Sequence, residues 1–200
     1  MEPIHLTRIP LDPRREPAAL ALSDPYALHM ILVRASMGER ILFRLERGGR
    51  SPWLLVQSPK PLDPEALPEG FGPLEARLLP PFLQRGRVYP FRLRANPTRH
   101  RDVEGKRVRV PLFGDEALAW LAQRFQPGLA PVRVEAYQEA PLLVRKAGVK
   151  PFPLHSVLFT GAAVVLDPEA AWDLILKGVG SSGKAFGFGL LSLLPPKTPC

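Results

Sequence analysis

Apolar and polar positions fall into two rounds of a similar pattern along the chain. The first opens with Ile4 to Ile9, which reads as a strand, and continues through a polar, proline-bearing loop from Pro10 to Ser23. A helix is then expected from Asp24 to about Met37. Asp24 can cap the free amides, and Pro25 suits the first helical position, where its missing N–H does no harm. At 100° per residue, Leu28, Ile31, Leu32 and Ala35 lie within about 60° of one core-facing direction. Gly38 ends this helix, and Ile41, Phe43 and Leu45 then share one face of a period-two strand from Arg40 to Glu46. Arg47-Gly48-Gly49-Arg50 signals a hairpin, and Trp53 to Ser58 is the third strand. Asp63 to Leu79 is broken by prolines, with room for a short, irregular helix.

The second round starts near Arg85. Val88 to Ala95 and Lys106 to Leu112 read as strands, and Asp115 to Phe125 as a helix containing Trp120. Val132 to Tyr137 and Leu142 to Lys146 are two expected short strands, and Leu154 to Leu166 is a long strand or a bent pair. Asp167-Pro168 repeats the cap-plus-proline start of a helix that ends at Gly178, and Ala185 to Leu194 supplies a closing strand. The expected architecture is α+β, two tandem ferredoxin-like (RRM-like) domains over residues 1–84 and 85–200.

Composition adds charge to this picture. The chain is 46% hydrophobic, enough for a folded core, and its 27 Lys and Arg outweigh 19 Asp and Glu to leave a net charge of +8. Arginine supplies 20 of those cations, and its forked guanidinium suits phosphate. Between Arg85 and Arg109, eight arginines and Lys106 stand against Asp102 and Glu104, so most of the excess is concentrated there. An acidic polymer is the implied partner, although such a run also fits a solvated face. The apolar runs Leu28 to Val33 and Val157 to Leu166 are interrupted or short of the roughly 20 residues that a bilayer requires. Glu2 and His5 stand where an export signal needs an apolar stretch, so a cytoplasmic protein with no membrane partner is expected. Cys200 is the sole cysteine and can build neither a disulfide nor a zinc site by itself.

Histidines occur at positions 5, 29, 100 and 155 without metal-ligand spacing, so no metal or other cofactor is expected. His29 lies on the flank of the capped helix, three residues from Tyr26, and their side chains are neighbours. The pair can pack against a loop, or it can act in acid–base chemistry. A histidine titrates near neutrality and can move protons in RNA phosphodiester cleavage without a metal, provided that cations stabilise the developing charge. The stretch Gly178 to Gly189 superficially matches G-x-x-x-x-G-K, but a helix precedes it, Ala185 follows the lysine, and too little chain remains for a nucleotide-binding unit. No nucleotide partner is expected. Gly180, Ser181, Ser182, Gly183 and Lys184 instead offer amides, hydroxyls and a cation to an anionic backbone, unless the glycines serve only to reverse the chain.

Three segments together resemble the CasE family of CRISPR repeat-RNA endoribonucleases, which act in the type I-E Cascade complex. These are Asp24-Pro-Tyr-Ala-Leu-His29, Phe91-Arg-Leu-Arg-Ala-Asn-Pro97 followed by Gly105-Lys-Arg107, and Gly178 to Leu191. The resemblance implies recognition of a repeat hairpin and metal-independent cleavage at the 3′ base of its stem. It further implies a 2′,3′-cyclic phosphate and retention of the mature crRNA with the other Cascade subunits. By the same resemblance, His29 and Tyr26 are catalytic, and Lys146 or Lys150 supports the scissile phosphate from a basic hairpin beginning at Arg145. That hairpin looks shorter than in relatives, which leaves the choice of lysine open. The expected RNA-binding set is Arg34, Arg92, Arg94, Arg99, Arg101, Lys106, Arg107, Arg109, Arg145 and the loop residues Gly180 to Lys184, with Asp102 or Glu104 able to pair with some of these arginines. A non-catalytic RNA-binding scaffold subunit is the alternative.

Overall fold

In a computed structural model, residues 1–48, 51–146 and 148–194 are described; the Gly49-Arg50 part of the expected hairpin and Cys200 lie outside them. The chain forms two compact units. The first comprises Met1–Pro81, Leu142–Leu154 and Gly183–Leu190; the second comprises Phe82–Pro141, His155–Ser182 and, of the described residues that follow, 191–194. The division therefore differs from a single break near residue 84, because two later segments belong to the first unit.

In the first unit, β1 (Ile4–Pro10), β2 (Leu42–Glu46), β3 (Trp53–Ser58) and β4 (Glu75–Leu79) form an antiparallel sheet in the order β2-β3-β1-β4. Thr7 sits opposite Val56, and Phe43 opposite Val56 on its other side. Two helices, α1 (Glu16–Ser23) and α2 (Pro25–Ala35), connect β1 to β2. α2 starts as its cap predicts: the Asp24 carboxylate accepts the amides of Tyr26 at 2.8 Å and Ala27 at 3.3 Å. Its Leu28, Leu32 and Ala35 are buried, and they join Ile9, Leu11, Phe43, Leu54 and Val56 in the core.

The second unit repeats the sheet order as β10-β5-β9-β8, formed from β5 (Val88–Ala95), β8 (Leu129–Lys146), β9 (Val149–Val165) and β10 (Leu191–Leu193). α3 (Gly114–Phe125) and α4 (Pro168–Lys177) accompany them, and β6 (Thr98–Val103) and β7 (Lys106–Pro111) form a separate two-stranded ribbon. Asp167 caps α4 through the amides of Glu169 and Ala170, as the Asp-Pro signal predicts. Phe91 meets Phe125 edge-on at 5.2 Å, and Trp120 stacks on Phe159 at 6.3 Å. A side chain on Gly128 would place its Cβ 2.4 Å from the Ala171 amide, so glycine is what lets α4 approach there.

The α+β, tandem ferredoxin-like architecture stands, with local corrections. Residues 16–23, expected as loop, are helical, because Pro17 occupies the first turn and Ala18 and Ala21 are buried. The proline-broken region carries only a 3-10 turn, Pro64–Ala66, and then the strand β4, which pairs with β1. Thr98 to Val103 is a strand, held by its antiparallel partner β7. The two short strands are one 18-residue β8, and β9 begins at Val149. The closing strand shrinks to β10, preceded by a 3-10 turn at Lys184–Phe186.

Candidate active site

α2 carries Tyr26 and His29 one turn apart, immediately after the Asp24 cap. His29 is half-buried, and its Nδ1 is buried with no hydrogen-bond partner among the described residues. Burial pushes its pKa below the ordinary histidine value, which favours the neutral imidazole and hence a ring able to accept a proton at neutral pH. The Lys184–Phe186 turn packs against α2 and β2, and the Phe186 ring meets the His29 ring edge-on, with centroids 6.2 Å apart.

Phe186 reached this place unheralded by the sequence, where its only signal was an aromatic residue between glycines. Its position is set on several sides. Phe152 of β9 meets it in a T-shaped contact at 6.5 Å, and Val144, Leu154 and Phe188 form a small core behind it. Gly183 enters the turn with φ +82, and a Cβ there would lie 2.6 Å from the Phe188 ring. Downstream, the Arg44 guanidinium donates to the Leu190 carbonyl at 3.0 Å while it pairs with Glu46 at 2.5 Å, both side chains being buried. That buried ion pair was not foreseen.

The first unit thus gathers much of the expected catalytic set. Arg145 and Lys150 are exposed on its β8–β9 segment, and Lys146 is the last residue of β8, its side chain being outside the described part. Arg34 is exposed in the last turn of α2. Lys184 is half-buried, and burial together with the neighbouring Arg40 charge pushes its pKa down.

The remaining basic residues of the expected RNA-binding set belong to the second unit. Arg92 and Arg94 share one face of β5, as strand alternation predicts, with Phe91 and Leu93 buried on the other. Arg94 grips Glu139 through contacts of 2.6 and 2.8 Å, and the Ser156 hydroxyl donates to the same carboxylate at 2.6 Å. Burial works to raise the Glu139 pKa, but the Arg94 and Ser156 hydrogen bonds and the Arg94 and Arg92 charges outweigh it and hold it low. Arg99 pairs with Glu116 at 2.7 Å. The acidic partners of Arg94 and Arg99 are therefore Glu139 and Glu116 rather than the anticipated Asp102 or Glu104; Asp102 lies opposite Arg107 on the far face of the ribbon from Arg99. Arg101 and Lys106 share one exposed face with Arg99, and Arg107 and Arg109 share the other with His100. Gly180 to Ser182 also belong to this unit, where the Asn96 amide donates to the Ser182 hydroxyl at 3.1 Å. The glycine-rich stretch is thereby divided between the units. Among the described residues, no group of His, Cys, Asp and Glu converges to hold a metal ion, and no helix is long and apolar enough to cross a membrane.

The profile of the family described as CRISPR associated protein matches residues 4–195. The chain belongs to this family. It is 37% identical over 216 residues to the CRISPR-associated endoribonuclease Cse3 of Thermus thermophilus, covering 95% of this chain and 99% of that one. The structure of that organism's Cse3 bound to an RNA representing a pre-cleavage complex superposes with a TM-score of 0.87 at 35% identity, covering 96% of this chain and 100% of the other. The CRISPR-associated protein Cas6e from Escherichia coli K-12 matches with a TM-score of 0.77 at 29% identity, covering 96% and 99%. A chain of a CRISPR RNA-guided surveillance complex matches with a TM-score of 0.78 at 31% identity, covering 94% and 98%. The CasE resemblance drawn from three short segments thus extends over almost the whole chain.

Proposed function

We propose that this CRISPR-associated protein is an endoribonuclease that binds the hairpin of CRISPR repeat RNA, cuts at the 3′ base of its stem and stays with the mature crRNA among the subunits of a cytoplasmic Cascade complex. The observation that carries the reading is His29: a half-buried imidazole, its pKa lowered by burial, on a capped helix in the same unit as a basic hairpin, in a chain of this family.

The 2′-hydroxyl beside the scissile phosphate attacks phosphorus. A new P–O2′ bond forms, the P–O5′ bond breaks, and the products carry a 2′,3′-cyclic phosphate and a 5′-hydroxyl. The 2′-hydroxyl proton must leave and the 5′-oxygen must gain one; in this reading His29 moves a proton, with Tyr26, on the same helix, orienting it or the nucleophile. Lys146 or Lys150 offsets the negative charge that grows on the phosphorane. Arg34, Arg145, Gly183 and Lys184 in the first unit, and Arg92, Arg101, Lys106, Arg107, Arg109 and Gly180 to Ser182 in the second, are the proposed contacts to the RNA backbone. Arg94 and Arg99 reach it only by sharing their carboxylate partners.

The test is a repeat hairpin incubated with the protein in excess chelator. A single cut leaving a cyclic phosphate is expected. A hairpin bound but left intact, with or without added divalent metal, would make the chain a scaffold subunit.

A further inference from the structure

An aromatic ring standing edge-on to an imidazole covers part of it without offering a hydrogen-bond acceptor. That is the relation of Phe186 to His29, with centroids 6.2 Å apart and planes inclined at 62°. Nδ1 is the ring nitrogen that is buried and without a partner among the described residues. Phe186 is itself fixed by Phe152 and by the Val144, Leu154 and Phe188 cluster, so hydrocarbon from the β8–β9 hairpin backs the ring that faces the histidine. We infer that Phe186 is a positioning residue for His29, closing the Nδ1 edge of the imidazole so that proton exchange with the RNA runs through Nε2.

An imidazolium carries two N–H donors and requires an acceptor for each. With Nδ1 buried and without an acceptor among the described residues, the charged ring gains no compensating hydrogen bond there, so burial favours the neutral ring, in keeping with the lowered pKa of His29. The titratable and charged groups on α2 and on the elements that pack most closely against it include Tyr26 and Arg34 on α2, its cap Asp24, Glu16 on α1, Glu65 on the Pro64–Ala66 turn and Lys184 on the Lys184–Phe186 turn. Burial is the cause of the lowering. The glycines around Phe186 acquire a purpose in this arrangement: Gly183, with its left-handed backbone, lets the chain turn where a side chain would strike Phe188 and displace the neighbouring aromatic rings.

This inference rests on the reading of the chain as a ribonuclease using His29. Its test uses the full chain with Phe186→Ala and Phe186→Leu, following the His29 pKa by NMR, the single-turnover cleavage rate against pH, and hairpin affinity. Phe186→Ala is expected to raise the His29 pKa toward the ordinary value and to shift the acid limb of the rate profile upward with it. It should slow cleavage by about tenfold or more, while the Kd stays within about threefold. Phe186→Leu, which keeps a branched hydrocarbon beside the imidazole, is expected to restore most of the rate. An unchanged His29 pKa and pH profile in Phe186→Ala, or a loss confined to Kd, would overturn the inference. Because the NMR titration needs no RNA, it tests the contact even if the wild-type protein fails to cut, which is the outcome that would sink the functional reading alone.

Discussion

Arg94 holds Glu139 by two parallel hydrogen bonds, Nε to Oε2 at 2.6 Å and Nη2 to Oε1 at 2.8 Å, across 45 residues of sequence. The fork geometry is the strong form of such a pair. Its side chains are only 16% and 28% exposed, so Arg94 is committed within its unit in a way that Arg101, Arg107 and Arg109 on the exposed ribbon are not.

Charge reversal at Arg101, Arg107 or Arg109 is therefore expected to weaken hairpin binding and to reduce the slope of log K against log salt by about one unit per lost phosphate contact. Arg94→Ala should instead lower stability, by about 1–3 kcal/mol, because it strands a part-buried carboxylate. Filter-binding titrations at several salt concentrations and a thermal melt separate the two. Equal salt slopes in wild type and all three ribbon variants would make the ribbon a solvated face.

The same pair has a pH signature. Glu139 has a folded pKa below its unfolded one, so its contribution to stability is present above the unfolded value of about 4.3 and is lost as pH falls through the folded value. Glu139→Gln should be less stable than wild type near neutrality, with the difference shrinking as pH falls below about 4. Denaturant unfolding at a series of pH values checks this, and a stability gap independent of pH would contradict it.

At Gly183, valine would force a β-branched residue to φ +82 and drive its Cβ toward Phe188. The backbone strain alone is worth about 1–3 kcal/mol. Gly183→Val is expected to retain its circular dichroism spectrum, melt earlier and cleave more slowly, since Phe186 follows three residues later. A wild-type melting temperature with wild-type cleavage would reduce this glycine to a connector.

What the sequence revealed and what it hid divide along the distance of the interactions. Asp24-Pro25 and Asp167-Pro168 announce their helices because a cap and a first-turn proline act within three residues, and the caps are formed as read. α1 was obscured by Pro13 and Pro17 in a polar stretch; its helix is defined by buried Ala18 and Ala21, a tertiary effect. Pro141, Pro151 and Pro153 made β8 and β9 look fragmented, although the two strands pair as one long hairpin. That Tyr26 and His29 share one capped helix was legible in the same way. Phe186 against His29, and Arg94 against Glu139, were not, because each joins segments that only the folded chain brings together.

Tyr26→Phe should slow cleavage less than loss of the histidine does, by about tenfold, because an orienting hydroxyl is removed while the imidazole remains. Single-turnover rates with saturating protein measure the difference directly. A rate equal to wild type would leave Tyr26 as a packing residue.

The central claim is that His29 moves the proton in RNA cleavage, and the most direct measurement of it is single-turnover cutting of a repeat hairpin by His29→Ala beside wild type, in excess chelator, with hairpin affinity measured on the same samples. A loss of about 10²-fold to 10⁴-fold in rate with a Kd within a few-fold is predicted, because an acid–base group acts on the transition state far more than on binding. A folded His29→Ala protein that cuts at the wild-type rate would contradict the account.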